Sequence, residues 1–179
     1  MSEIKVEELN YRKKQDVEET AKLHGTAFSG YPWFEHWPLE ESLKEVHSWK
    51  ALKKNGRGKV FVARAPDGRI IGLAVGHLHQ PTKHSKEVSQ KLGKGKHYYL
   101  RKIATHPDFL RRGIAKALTA ARLKHAQKLN CTKVYGWTSV DNTPKIEQFE
   151  KEGFRDFHRE VTKTGGVKSE RGYYNKRLK

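Results

Sequence analysis

The chain has 179 residues, enough for one domain with a single substantial core, and carries 37 Lys and Arg against 20 Asp and Glu for a formal net charge of +17. Its one cysteine, Cys131, excludes an intramolecular disulfide and a cysteine-ligated zinc site, and no apolar run approaches the roughly 20 residues that would span a bilayer. The charge favours anionic partners, whether nucleic acid, an acidic surface or a phosphorylated cofactor, and says nothing about fold.

In chain order, Ile4 to Leu9 alternates as a first strand. Asp16 to Phe28 follows a helical period with Val17, Thr20, Ala21, Leu23, His24 and Phe28 inward and Asp16 as a candidate cap. The loop from Ser29 to Pro38 holds Tyr31, Trp33, Phe34 and Trp37; these rings either pack inward or line a substrate pocket. Leu39 to Lys54 is a second helix, stopped by Asn55-Gly56. Lys59–Ala65 and Ile70–His79 form a hairpin about Pro66-Asp67-Gly68-Arg69. Pro81 to Lys96, rich in lysine and poor in apolar residues, is expected to be a mobile basic loop.

Tyr98 to Thr105 reads as a buried strand, followed by a tight connection through His106-Pro107-Asp108 and a helix from Arg112 to Leu129. The helix has an apolar stripe (Ile114, Ala117, Leu118, Ala121, Leu129) and a basic ridge (Arg112, Lys116, Lys124, Lys128). Lys133–Val140 is a strand, Asn142 precedes a short helix from Thr143 to Glu152, and Phe154–Thr162 and Gly172–Leu178 are final strands around Gly165-Gly166. With no repeat and no linker, residues 1–179 are expected to form one domain. The predicted class is α/β (α+β), a mixed, mostly antiparallel sheet of about seven strands flanked by about four helices.

The start of the central helix carries the chemistry. The first amides of a helix have no intrahelical partner and can meet an anion. Gly113 and Ala115 let one approach closely, and Arg111, Arg112 and Lys116 add positive charge beside it. A diphosphate suits this arrangement, although neither common nucleotide-binding glycine signature is present.

Ile103-Ala104-Thr105-His106-Pro107 with Arg111-Arg112-Gly113-Ile114-Ala115-Lys116-Ala117-Leu118, and downstream Asn142 with Phe149-Glu150-Lys151-Glu152-Gly153-Phe154, resemble the two signature blocks of the Gcn5-related N-acetyltransferase (GNAT) superfamily. The resemblance implies acetyl-coenzyme A as cofactor. Its pyrophosphate would lie on the amides of Arg111, Arg112, Gly113, Ile114, Ala115 and Lys116. Its pantetheine arm would pair with Ile103 and Thr105, and an amide near Ile103 or Ala104 would face the thioester carbonyl. Asn142 would bond the pantetheine, or else it is simply a helix cap.

The family's usual Gln/Arg before the first glycine is Leu110 here, and its tyrosine acid is Phe149. Tyr135 and Ser139 are alternative proton donors. The glutamate that some members use as base aligns with Tyr99; His97, His77 and His79, or a relaying water, are the other candidates for that role.

The implied activity is acetyl transfer to a primary amine by direct attack in a ternary complex. The alternatives are a degenerate coenzyme A-binding protein, or a basic acetyltransferase-fold protein acting on nucleic-acid-linked amines such as aminoacyl-tRNA. Expected partners are a small-molecule or peptide amine, with nucleic acid possible but marked by no motif, no membrane and no metal, in a monomer or homodimer. The sequence MSEIKVEEL at the start lacks a secretory pattern, so a cytoplasmic location is expected.

Overall fold

The computed structural model describes residues 4–82, 85–164 and 167–178. In chain order the elements are β1 (Lys5–Glu8), α1 (Lys14–Phe28), α2 (Leu39–Ser48), α3 (Lys50–Lys54), β2 (Gly58–Arg64), β3 (Ile70–Leu78), α4 (Lys86–Leu92), β4 (His97–Thr105), a 3-10 turn (Pro107–Phe109), α5 (Ile114–Lys128), β5 (Lys133–Ser139), α6 (Thr143–Lys151), β6 (Arg155–Thr164) and β7 (Val167–Arg177). The seven strands form one sheet in the order β1-β2-β3-β4-β5-β7-β6. β4 and β5 pair in parallel, from His97 opposite Lys133 to Tyr99 opposite Tyr135. The pairs β1–β2, β2–β3, β5–β7 and β6–β7 are antiparallel. This is the mixed, mostly antiparallel sheet expected from the sequence, and its four longer helices are those the periodicity marks.

The chain divides into two compact units, Met1–His77 with Arg101–His125, and Leu78–Leu100 with Ala126–Lys179. In the first, α1 and α2 bury Val17, Ala21, Leu23, Val46 and Trp49 with Val60, Val62, Leu73 and Val75 of β2 and β3. A second cluster joins Ala63, Ile71 and Ala74 to Ile114 and Leu118 of α5. Gly72 makes that contact close: a Cβ there would lie 2.6 Å from Ile114 Cγ2. The six residues expected on the inner face of α1 are all buried.

Asp16 is not a cap. α1 begins two residues earlier, with Lys13 at the N-cap position making no side-chain bond. Asp16 is itself buried and ion-paired with Arg64 and Lys13, because a carboxylate with a guanidinium partner is stable inside where a bare one is not. Arg122, outside the predicted apolar stripe of α5, is also buried; its guanidinium donates to the Lys102 carbonyl at 3.2 Å and Thr119 Oγ1 at 3.1 Å. The expected single helix over 39–54 breaks at Trp49.

In the second unit, the stretch read as a mobile loop contains α4. Val88 and Leu92, four residues apart, bury one face against Tyr135 and Tyr173, so local apolar scarcity is offset by one well-placed pair. β7 begins at Val167, earlier than the expected Gly172. The predicted Gly165-Gly166 turn lies outside the described residues. Cys131 is buried, and burial pushes its thiol pKa up, as befits a small hydrophobe.

Candidate functional site

The first unit contains the segment expected to meet an anion. β4 ends at Thr105, and the His106 N–H donates to Ile71 O at 2.9 Å. His106 Nδ1 accepts from the Asp108 amide at 3.3 Å and caps the 3-10 turn. Beyond it, Arg111 takes φ 60° and Gly113 φ 79°. Left-handed residues recur in turns whose successive amides can meet an anion. The first backbone bond at the start of α5 runs from the Ala117 N–H to Gly113 O at 2.9 Å, and among the described residues the amides of Arg111 to Lys116 donate to no protein acceptor. A Cβ on Gly113 would meet nothing within 4 Å. Ile114 is buried and anchors the turn, whereas Arg111, Arg112 and Lys116 are exposed and Ala115 half-buried. The Arg112 guanidinium stacks 4.9 Å from the Phe109 ring. Of the strand positions, Ala104 is buried and Ile103 and Thr105 are half-buried.

In the aromatic loop two rings pack inward and two do not. Trp33 and Trp37 pack against the core, while Tyr31 is 63% and Phe34 72% exposed, with the rings edge to face at 6.1 Å. Beneath the loop sits a pair that the sequence did not suggest. Lys102 Nζ lies 3.0 Å from His24 Nε2 and within 4.8 Å of the Phe28 and Trp37 ring centres. His24 Nδ1 faces Ser42 Oγ at 3.2 Å. The ammonium can only donate, so Nε2 is an acceptor and His24 is neutral, with its proton on Nδ1. Burial, and then the Lys102 charge, hold the His24 pKa down to about 4. Lys102 is lowered too, chiefly by desolvation. A histidine on the inner face of α1 and a lysine on a mixed strand carry no pairing signal in sequence.

The second unit brings three of the catalytic candidates, His79, Tyr99 and Tyr135, together. Tyr135 Oη lies 2.7 Å from His79 Nδ1, and His79 Nε2 lies 2.8 Å from Ser89 Oγ. The Ser89 hydroxyl spends its proton on Ser85 O at 2.7 Å. It therefore accepts from His79 Nε2–H, which leaves Nδ1 to accept the Tyr135 proton. Burial raises the Tyr135 pKa well above the usual phenol range, followed by the neighbouring Tyr99 and Tyr173. Tyr99 stacks on Tyr135 at 5.0 Å and accepts a hydrogen bond from Trp137 Nε1 at 2.7 Å. His97, another candidate, is buried with Nε2 3.0 Å from Gly93 O, fastening the end of α4.

Asn142 caps α6 through Oδ1 and the Lys145 amide, and its Nδ2 donates to Thr138 Oγ1 at 3.0 Å. Phe149 is buried, stacked on Tyr174 at 5.1 Å. Among the described residues, no group of three or more His, Cys, Asp or Glu is placed to hold a metal ion, and no helix is long and apolar enough to cross a membrane.

A sequence model of the acetyltransferase (GNAT) family matches residues 18–154. The chain belongs to the acetyltransferase (GNAT) family. Within it, the chain is 26% identical over 147 residues to the mycothiol acetyltransferase of Saccharomonospora viridis, covering 82% of this chain and 45% of that protein. It thus spans less than half the length of that curated relative. The structure of an N-acetyltransferase from Staphylococcus aureus Mu50 superposes with a TM-score of 0.73 at 15% identity, over 99% of this chain and 100% of that one. The structure of yncA from Salmonella typhimurium, with its cofactor acetyl-CoA, gives 0.74 at 12%, over 98% and 94%. At these identities the structural likeness is one of fold, and it is the acyl-CoA N-acyltransferase fold that the signature blocks imply.

Proposed function

We propose that this acetyltransferase-family chain is an acetyl-CoA-dependent N-acetyltransferase acting on a primary amine. The observation that carries this reading is the row of amides from Arg111 to Lys116 that, among the described residues, donate to no protein acceptor. Those amides, with Arg111, Arg112 and Lys116, suit a diphosphate; Ile103, Ala104 and Thr105 precede them at the end of β4, and Asn142 caps α6. Acetyl-CoA supplies an activated thioester. The chain's part is to hold it, orient the acceptor and move one proton.

Proton handling is assigned to Tyr135 and His79. The hydroxyl keeps its proton at working pH, and the imidazole beside it can store the one the acceptor loses. Tyr99 then acts by stacking on Tyr135. His97, tied to a backbone carbonyl, is the weaker candidate. Tyr31 and Phe34 offer an exposed wall for the acceptor, with Trp33 and Trp37 as its support. Buried Cys131, with its raised pKa, makes a poor nucleophile, which favours direct attack over a covalent enzyme intermediate. The 179 residues are read as one acetyltransferase domain in the cytoplasm, consistent with a single unpaired cysteine.

Phe149 supports a second reading, a coenzyme A-binding protein without turnover, because it cannot give up a proton. Thiol release from acetyl-CoA, measured across amino acids, polyamines, peptides and aminoacyl-tRNA, separates the two. Micromolar binding of acetyl-CoA with release on some amine supports the enzyme; binding without release supports the second reading; no binding sinks both.

A further inference from the structure

The proposed chemistry makes no use of Lys102, although three elements of the first unit close on its amine. α1 supplies His24, whose Nε2 lies 3.0 Å from Nζ, and Phe28, whose ring centre lies 4.7 Å away. The aromatic loop supplies Trp37, with its ring centre at 4.8 Å. From α2, Glu45 Oε1 stays at 3.8 Å and accepts from Trp49 Nε1 at 3.2 Å and Arg101 Nη2 at 3.3 Å. The close partners of Nζ are therefore a neutral imidazole and two rings, with one shared carboxylate farther out. Desolvation outweighs the pull of Glu45 and lowers the Lys102 pKa. Taking water from a lysine in this way frees the lone pair that makes it a nucleophile.

β4 decides which way this amine faces. Ile103 packs with Ile114 and Leu118 of α5, whereas Ala104 packs with the cluster beneath α1 and α2. By two-residue alternation Lys102 shares the Ala104 face. Its contacts with α1 and Trp37 agree. The aromatic loop, the proposed acceptor wall, lies on that face. Lys102 also directly precedes Ile103, one of the two residues expected to turn an amide towards the thioester carbonyl. The amine thus stands on the acceptor's side of the strand. Its side chain is 19% exposed, so the enclosure has an opening.

We propose that Lys102 is a self-acetylation site, whose amine takes the acetyl group of a thioester held at the end of β4. The proposal rests on the reading that the chain binds acetyl-CoA. In the step, the Lys102 ammonium gives one proton to solvent and the free amine attacks the thioester carbonyl. A new N–C bond replaces the C–S bond, and the second proton leaving nitrogen goes to the departing thiolate. The products are acetyl-lysine and coenzyme A thiol. The amide keeps one N–H, so it can still donate to His24 Nε2.

The test incubates the full chain with acetyl-CoA near neutral pH and no added amine, and follows each lysine by peptide mass spectrometry. Lys22 and Lys124, both exposed, serve as references for simple chemical acetylation. Calorimetry on the same preparation measures cofactor binding. Lys102 should be acetylated at least about tenfold faster than either reference, as expected for an amine held beside its electrophile. Its rate should level off where calorimetry shows the cofactor site filled. Bound acetyl-CoA with Lys102 no faster than Lys22 and Lys124 would overturn the proposal and leave the cofactor reading intact. A Lys102 rate that keeps rising in proportion to acetyl-CoA beyond that point would do the same. Absence of calorimetric binding would sink the cofactor reading, and the proposal with it.

Discussion

Tyr135 donates its hydroxyl proton to His79 Nδ1 across 2.7 Å, and the direction of that bond is set two links away, by the Ser89 hydroxyl donating to Ser85 O. A tyrosine on β5 and a histidine at the end of β3 thus share one proton in a defined sense, beside the aromatic stack of Tyr99. Phe149, where the family commonly has its acid, has no proton to share.

Replacing Tyr135 by Phe should therefore lower kcat by about 10²-fold or more, the usual contribution of a positioned acid or base. Acetyl-CoA affinity should stay the same. Because burial raises the Tyr135 pKa, the hydroxyl stays protonated through the ordinary phenol range. No loss of rate from this group is expected as the pH rises to about 10. Steady-state kinetics with calorimetric cofactor binding check both points; an unaltered kcat would remove Tyr135 from the mechanism.

Gly113 should separate backbone from charge effects. Gly113→Ala meets no atom but must hold φ 79°, at a cost of about 1–2 kcal/mol in stability. Gly113→Glu adds a carboxylate facing the proposed diphosphate and should weaken acetyl-CoA binding well beyond about tenfold, more than Ala does. Equal affinities in both variants would show that the amides at the start of α5 are not the cofactor's seat. Thermal melts and titration calorimetry supply the two readouts.

His24 should make stability depend on pH. Its pKa falls from 6.5 in the free side chain to about 4 in the folded protein, so between these values the unfolded chain binds the extra proton. The stabilisation from keeping His24 neutral is fully present above pH 6.5 and is lost as the pH falls through 4. The shift corresponds to about 3 kcal/mol. His24→Gln keeps an acceptor for Lys102 but does not titrate. Urea melts across this window should show a flatter profile for the variant; identical profiles would contradict the assignment.

Gly72 tests how tightly α5 is seated. Adding a Cβ at 2.6 Å from Ile114 Cγ2 should destabilise the fold by about 1–3 kcal/mol through overpacking. Ile114 opens α5, so Gly72→Ala should also weaken acetyl-CoA binding, measured by calorimetry well below the melting temperature. A neutral substitution would mean that β3 and α5 yield easily.

The sequence alone determined whatever is written in a local period or a short motif. Examples are the inner face of α1, the β2–β3 hairpin and the family signatures. Each is fixed by residues within a turn or two of one another, where spacing dictates which side chains share a face. The structure decided what depends on partners distant in the chain. Asp16 has the residue type of a cap, but Arg64, brought by β2, makes it half of a buried ion pair. Lys86–Leu92 has the composition of a solvated loop, yet Tyr135 and Tyr173 give Val88 and Leu92 a surface to bury against. His24 met Lys102, and His79 met Tyr135, only once β3, β4 and β5 were laid down. Local propensities are worth tenths of a kcal/mol per residue, while a desolvated charge or an unpaired buried ring costs several times more. Tertiary contacts therefore settle the matter wherever the two disagree.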